Sequence, residues 1–273
     1  MEERFMEYIN SLRSSGVQLI NTVTIPIDGV EQINVAYLGE SIILRHSSSD
    51  SVVLHEYLEL NAKQLCAVVE RKNNQIYIQH GNRSLIPVCG FIELYIPQWM
   101  EGICTIKTLS GSIYSKDNWS MSAFSGHTIS GNILIQSLSA DIVNLTSDIG
   151  DITLGRIAGQ IDLQTSRGSV LMQQVLGCGK IQTKVGDIEA HIFAANGSFE
   201  ITSSKGNINV YLPPDHVIEV EARTDLGRID ACQNSIVGAS NRNTREYWSK
   251  KTQRNIRIIS EIGDISIREP QLE

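Results

Sequence analysis

A three-residue unit recurs through the middle of the chain and constrains its fold more than any other feature. Each unit consists of a glycine, a short polar residue and a β-branched or aromatic residue, and one copy begins with Ala140 instead of glycine. A fixed repeat of this kind is typical of a solenoid, in which each unit buries its apolar face against its neighbours. The glycines of these units are Gly111, Gly131, Gly150, Gly159, Gly168, Gly179, Gly186, Gly197, Gly206 and Gly227.

The third residues of alternate units are evenly spaced. One series has steps of 19, 18, 18 and 20 residues and consists of Ile133, Ile152, Val170, Ile188 and Ile208. The other has steps of 19, 20 and 18 residues and consists of Ile142, Ile161, Ile181 and Phe199. The period is therefore one coil of 18–20 residues that contains two strands. We predict that each series forms a buried ladder.

The pattern inside a coil predicts short, half-buried strands. Apolar residues alternate with polar ones, as at Ile161 and Leu163, which is the period of a β-strand. Glycine suits the tight turns between such strands because it tolerates positive φ and close backbone approach. The predicted fold class is all-β, a single-chain β-solenoid or flattened two-sheet β-roll with a short N-terminal helix.

Residues 17–101 contain seven candidate strands without the glycine repeat. These strands suit either a small sandwich or irregular early coils of the same roll. The segments Glu93–Ile113 and Asn209–Ile229 align without a gap, and each carries a Tyr-x-Pro sequence near its start. Proline cannot donate to a strand ladder, so each copy marks a strand end or edge. The match on both sides of the regular coils favours the second interpretation.

The N-terminal segment 1–16 predicts an amphipathic helix with Phe5, Met6, Ile9 and Leu12 on one face. Packing against the roll is the expected role, and docking of a partner is the alternative. The segment lacks the basic and apolar regions of a secretory signal, and no apolar run is long enough to span a membrane.

Composition limits the cellular compartments and the classes of binding partner that are expected for this chain. A net charge of −7 and a pI near 5.4 argue against a nucleic-acid partner, which needs a basic surface. The five cysteines are an odd number without a CxxC pair, which indicates reduced thiols rather than a disulfide framework or zinc site. Cys104 and Cys178 are expected to be buried and inert. These features predict a cytoplasmic protein without a cofactor.

At this point the chain resembles a known family, the bacterial putative adhesin domain of unknown function. The resemblance covers about residues 20–268 and depends on IPIDGVEQINV, SIILRHSSSD, the two Tyr-x-Pro segments and the terminal IRIISEIGDISI. It implies a repetitive β-solenoid and adhesion to an unidentified ligand. It supplies no catalytic residues, and it makes surface association an alternative to the cytoplasm.

Residues 230–254 interrupt the repeat and concentrate basic and aromatic side chains. This segment could bind an acidic protein, an anionic polymer or lipid head groups, or it could be a solvated excursion before the closing strands of 255–273. We predict it as the partner-binding site because hot spots favour tyrosine, tryptophan and arginine. The candidate residues are Arg242, Arg245, Tyr247, Trp248, Lys250, Lys251 and Arg254.

Two chemical alternatives are weaker. The second residues of alternate units, including Asp151 and Asp187, form a polar ladder, but the GGxGxD sequence of calcium-binding rolls is missing, so we expect turn hydrogen bonds rather than a metal. A glycan-cleaving enzyme would need a pair of carboxylates. Only Glu189 and His191 suggest an acid-base pair, and a solvated pair on a sheet face is the expected explanation.

The sequence therefore predicts a non-catalytic binding or scaffold module for a protein or polymer, with an envelope-associated adhesin or envelope-stress component as the alternative. The regular coils occupy residues 102–229.

Overall fold

The chain forms one α-helix and twenty β-strands in the part that the computed structural model describes, namely residues 2–14, 16–83, 88–213, 219–231, 237–241, 244–248 and 255–269. Helix α1 spans Glu2–Ser14 and a short 3-10 turn spans Lys63–Leu65. The all-β class is confirmed. The strands are β1 (Gln18–Pro26), β2 (Gln32–Ala36), β3 (Ser41–Ser47), β4 (Ser51–Leu58), β5 (Val68–Lys72), β6 (Gln75–Gln79), β7 (Gly90–Pro97), β8 (Ile103–Thr108), β9 (Ile113–Thr128), β10 (Ile133–Ile149), β11 (Ile152–Arg167), β12 (Val170–Val185), β13 (Ile188–Lys205), β14 (Ile208–Tyr211), β15 (Glu219–Leu226), β16 (Ile229–Ala231), β17 (Val237–Asn241), β18 (Thr244–Trp248), β19 (Asn255–Ile262) and β20 (Ile265–Arg268).

Each of the long strands β9 to β13 makes one coil of the roll. Thr165, near the end of β11, donates a hydrogen bond to the carbonyl oxygen of Gly150, which precedes that strand, at 3.0 Å. A strand whose ends meet must turn a corner, so each long strand contributes to two faces. We call the segments that follow a glycine turn, such as 133–135, the first face, and those that lead to the next turn, such as 142–149, the second face. Successive coils pair in parallel and enclose one apolar core.

The first predicted ladder is confirmed. Its members are adjacent in the parallel register of β10 to β14, and each is at most 1% exposed. The ladder consists of Ile133, Ile152, Val170, Ile188 and Ile208.

The second predicted ladder is correct in burial at three positions and wrong at one. Ile142 is 46% exposed, whereas the next residue, Val143, is buried and pairs with Ile161. A register shift between Ser139 and Ile142 causes this exchange, because moving a strand by one residue reverses the face of every side chain.

The partners within that ladder also differ from the prediction. Ile181 pairs with Leu163, and Ile161 pairs with Gly179, which pairs in turn with Phe199. Ile181 is thus displaced by two residues from its predicted partner, Ile161. Because side chains alternate between faces with a period of two, Ile181 still points inward and remains buried. Gly179 contributes no side chain beside the large ring of Phe199, which preserves the packed volume of the core.

Both ends of the roll contain a coil inserted out of sequence order. At the N-terminal end, β2 lies between β6 and β8, and β3 lies between β7 and β9. At the C-terminal end, β19 lies between β13 and β15, and β20 lies between β14 and β16. The last strands in sequence are therefore not the last in the stack. The two matching Tyr-x-Pro segments precede the points where the chain steps over an inserted coil.

Two ladders of hydrogen bonds hold the glycine edge of the roll. The first consists of buried hydroxyls three residues before a turn glycine, such as Thr183, which donates to the carbonyl oxygen of Gly168 at 2.9 Å. The second consists of the polar residue that follows the glycine, as where Asp151 accepts from the backbone N–H of Ser169 at 2.8 Å. A side chain at Gly168 would lie 2.0 Å from the carbonyl oxygen of Gly150, which explains the glycine column.

Helix α1 packs on the outside of the first face near the N-terminal end. Ile9 is buried in a small cluster with Ile43, Phe91 and Tyr114, and Met6 packs against the same cluster. The side chains of Phe5 and Leu12, which were assigned to this face, lie outside the described residues.

A buried ionic network lies at the N-terminal end of the core. The guanidinium of Arg83 is paired with the carboxylates of Glu40 and Glu56, and all three side chains are at most 2% exposed. Arg83 also donates to the carbonyl of Leu65 at 2.7 Å, and Tyr37 donates to Glu56 at 3.0 Å. Because every charge is paired and hydrogen-bonded, the network can remain buried.

Candidate binding surfaces

A groove of about 570 Å³ lies along the corner of the roll opposite the glycine turns. It crosses four coils, β9 to β12, and side chains on adjacent strands form rows along it. Gln136, Gly155 and Gln173 occupy neighbouring positions in one row, and Ser137, Arg156 and Gln174 occupy neighbouring positions in the next. We call this feature the amide groove.

The amide groove has unoccupied hydrogen-bonding groups. Its polar side chains make no hydrogen bond or ion pair with any other described residue. By contrast, polar side chains on the second face pair across coils, as where Gln182 donates to Thr202 at 3.2 Å. The amide groove therefore presents free donors and acceptors. The polar side chains are Asn118, Ser120, Gln136, Ser137, Ser139, Arg156, Gln173 and Gln174.

Gly155 shapes the groove. A side chain at this position would begin 2.3 Å from the carbonyl oxygen of Gln136 and 3.1 Å from its side-chain nitrogen. Gly155 is buried, and the position requires glycine because the backbones of adjacent coils approach each other closely there. Gln136 and Gln173 flank it and are two strands apart, or about 9.6 Å at the usual strand spacing. The apolar side chains of the lining are Trp119, Leu138 and Ala158, of which Trp119 and Leu138 are buried.

The side chains of the polar turn ladder accept hydrogen bonds from backbone N–H groups of the next coil. Asp187 accepts from the N–H of Asn207 at 2.7 Å, and Asn132 accepts from the N–H of Asp151 at 2.8 Å. Over the described part of the chain, no three His, Cys, Asp or Glu side chains group closely enough to hold a metal ion.

Glu189 and His191 lie together on the outside of the first face. The His191 Nε2 is 3.0 Å from Glu189 Oε1, and the imidazole stacks on Tyr211 with centroids 4.1 Å apart. Both side chains are partly exposed, at 31% for His191 and 43% for Glu189. This arrangement is a solvated pair on a sheet surface.

The predicted basic site falls largely outside the described residues. Its backbone is described only at β18, which carries Arg245, Tyr247 and Trp248 and pairs with β17 and β15. This pairing places the backbone of β18 at the C-terminal end of the second face. The remaining candidates, Arg242, Lys250, Lys251 and Arg254, are outside the described residues, as are the side chains of all seven.

A cluster under helix α1 surrounds the buried carboxylate of Glu93. Tyr57 and Tyr95 donate to it at 3.2 and 3.1 Å, and Arg13 and Arg45 pair with it at 3.6 and 3.5 Å. Burial, followed by the charge and hydrogen bond of Glu93, raises the pKa of Tyr95 to about 12. Sequence patterns missed this cluster because its members come from four separate segments.

The described cysteines are free thiols. Cys104 is buried as expected, and burial raises its pKa to about 12. Cys178 is only half-buried, which corrects the expectation for that residue. It precedes Gly179 at the position where β12 departs from regular register.

The described fold defines a β-solenoid repeat protein with a hydrogen-bonding groove on one corner. The chain belongs to the Toastrack DUF4097 family, which matches residues 30–268. The resemblance inferred from the sequence is confirmed. Among curated proteins, none matches this chain. In the described residues, no helix has both the length and the apolar character needed to cross a bilayer.

Two solved bacterial structures resemble this chain. A protein described as a putative adhesin from Bacteroides fragilis NCTC 9343 is 17% identical, with 90% of this chain and 96% of that chain covered and a TM-score of 0.54. A protein described as a putative lipid binding protein from Parabacteroides distasonis ATCC 8503 is 14% identical, with 90% and 96% covered and a TM-score of 0.42. At 17% identity, the likeness to the Bacteroides fragilis protein concerns the fold alone.

Proposed function

We propose that the chain is a non-catalytic binding module that holds a protein or an extended polymer in the amide groove. The observation that carries this proposal is the set of free hydrogen-bonding side chains across four stacked coils. A parallel sheet paired on both sides is a rigid support, and rigid elements hold binding groups in position at little entropic cost.

The chemistry of the lining supports binding rather than catalysis. Amide and hydroxyl side chains donate and accept hydrogen bonds without titrating near neutral pH. Glycan hydrolysis would require two carboxylates about 5–9.5 Å apart. The groove lining contains one charged side chain, that of Arg156, and no carboxylate.

A role in the cell envelope is the alternative. It is supported by the description of the Bacteroides fragilis neighbour as a putative adhesin. The cytoplasmic location expected from the sequence and the surface location implied by this neighbour lead to different partners. Fractionation of the source cells, followed by immunodetection of the chain in cytosol and envelope, distinguishes them.

We propose residues 230–254, the basic segment, as a second contact for an acidic protein or an anionic polymer. Its backbone extends the second face at the C-terminal end through β18. Contacts there would be electrostatic, whereas contacts in the amide groove would be mainly neutral hydrogen bonds. High salt should therefore weaken binding at the basic segment and leave binding in the amide groove unchanged.

The experiment is a comparison of partner recovery by two double variants. Q136A/Q173A removes the two amides that flank Gly155, and Q160A/Q164A removes two exposed glutamines from the second half of β11. Tagged proteins are used to capture binding partners from an extract of the source cells. We expect Q136A/Q173A to lose the main partner and Q160A/Q164A to retain it. Equal recovery by both variants would overturn the assignment of binding to the groove.

A further inference from the structure

We infer that the amide groove binds a neutral saccharide chain. The inference deepens the proposed function, because it assumes that the groove is a binding site and assigns the chemical class of its ligand. It depends on three features of the groove, which are its hydrogen-bonding side chains, its charge and the backbone pairing of its strands.

The first feature is the match between amides and sugar hydroxyls. Each glutamine offers two N–H donors and a carbonyl acceptor, and each serine hydroxyl both donates and accepts. A sugar hydroxyl also donates and accepts, so one amide can satisfy two hydroxyls of the same ring. Gln136 and Gln173 flank Gly155 in the lining, so no side chain lies between the two amides in their row.

The second feature is the scarcity of charge. Arg156 is the one charged side chain in the lining, and the chain carries a net charge of −7. A polyanionic ligand would be repelled by the protein as a whole and neutralised at only one position in the groove. A neutral ligand avoids this cost, and Arg156 can still donate hydrogen bonds to its oxygens.

The third feature separates a saccharide from a peptide. Peptides commonly bind by adding a strand to an open sheet edge, which requires unpaired backbone groups. Strands β10 and β11, which form the centre of the groove, are paired on both sides, so no such edge lies there, whereas residues 118–120 of β9 pair with β10 alone among the described strands. Trp119 and Leu138 are buried and Ala158 is small, so the apolar side chains of the lining offer little exposed surface to a peptide side chain.

The direction of the groove suits a chain of sugars. The groove crosses the strands, so equivalent positions recur at each coil, about 4.8 Å apart. Polar side chains on successive coils include Asn118, Ser137, Arg156 and Gln174 in a single row. A ligand that lies along this row meets a new hydrogen-bonding group at each coil.

The test is isothermal titration calorimetry of the full chain with neutral hexasaccharides of glucose, mannose, galactose and N-acetylglucosamine. Hexaglycine and polyglutamate serve as peptide and polyanion probes. We expect at least one hexasaccharide to bind, with affinity unchanged at high salt because the contacts are neutral. We expect Q136A/Q173A to weaken that binding about tenfold. The matched variant Q160A/Q164A should bind within about twofold of the wild type.

Circular dichroism first establishes that both variants fold. Absence of binding by all four hexasaccharides, preferential binding of hexaglycine or polyglutamate, or equal loss in both variants would overturn the saccharide inference. If the groove variant still loses its cellular partner while no hexasaccharide binds, the ligand class is wrong and the proposed function stands. If Q136A/Q173A keeps both its cellular partner and wild-type affinity for every hexasaccharide, the proposed function fails as well.

Discussion

The Oγ1 of Thr165 lies 3.0 Å from the carbonyl oxygen of Gly150 and donates a hydrogen bond to it across the closing turn of one coil. Ser203 makes the equivalent bond to Gly186 at 3.1 Å, and Ser260 makes it to Gly206 at 3.1 Å. The last contact joins the inserted strand β19 to the glycine that precedes β14, so the device repeats in spatial order rather than in sequence order. It links the end of a second-face strand to the glycine that opens the first-face strand at the same level of the stack.

Replacing Thr165 with valine should destabilise the protein by about 1–3 kcal/mol, because it removes the donor from a part-buried carbonyl without changing side-chain shape. Urea unfolding measures the effect. Thr153→Val is the control, since Thr153 is half-exposed on the outside of the first face. Equal costs for the two variants would show that the closing bond contributes nothing particular.

Truncating Ile188 to alanine should lower the free energy of unfolding by about 2–5 kcal/mol, because the side chain is fully buried between Val170 and Ile208. Ile142→Ala should cost much less, since the register shift leaves Ile142 46% exposed. Thermal and urea denaturation of the two variants provide the comparison. A cost for Ile142→Ala that equals that of Ile188→Ala would contradict the register of β10.

Stability should fall as pH rises from about 10 towards 12. The pKa of Tyr95 is 10.0 in its ordinary state and about 12 in the fold, so between these values the unfolded chain loses a proton that the folded chain keeps. Burial is the largest cause and Glu93 the next, so Glu93→Gln should make the decline shallower without abolishing it. Glu189→Gln should leave the slope unchanged. Urea midpoints measured across this range test both variants, and parallel slopes in Glu93→Gln and wild type would contradict the assignment.

Replacing Arg245, Trp248 and Lys251 together with alanine should weaken association with an acidic partner and reduce its salt dependence. The reason is that basic and aromatic residue types concentrate in this segment of an acidic chain. Capture assays at low and high salt measure the effect, with circular dichroism as the check on folding. Undiminished recovery would return the segment to the role of a solvated excursion.

The sequence predicted the solenoid because glycine turns and alternating apolar residues are local and repeat in every coil. It misplaced Ile142 because a single-residue register shift has no signature in the spacing of 19 residues. The hydroxyl ladder was present in the sequence as Ser or Thr three residues before each glycine that opens the first face, as at Thr183 and Gly186. That pattern could have been found by aligning the coils on their glycines.

Sequence patterns could not predict the amide groove or the inserted coils, because both depend on which strands become neighbours. Gln136, Gly155 and Gln173 are unremarkable singly, and only the parallel register brings them into one row. The position of β19 between β13 and β15 depends on which edge the returning chain fills. Periodicity indicates that a strand exists without indicating its neighbour.

The central claim is that ligands bind at the amide groove and not at the flat faces. The most direct measurement is photo-crosslinking in the source cells with p-benzoylphenylalanine placed at Gln173 in the groove or at Gln164 on the second face. The account predicts a crosslinked product from position 173 and little or none from position 164. Efficient crosslinking from position 164, with none from position 173, would contradict it.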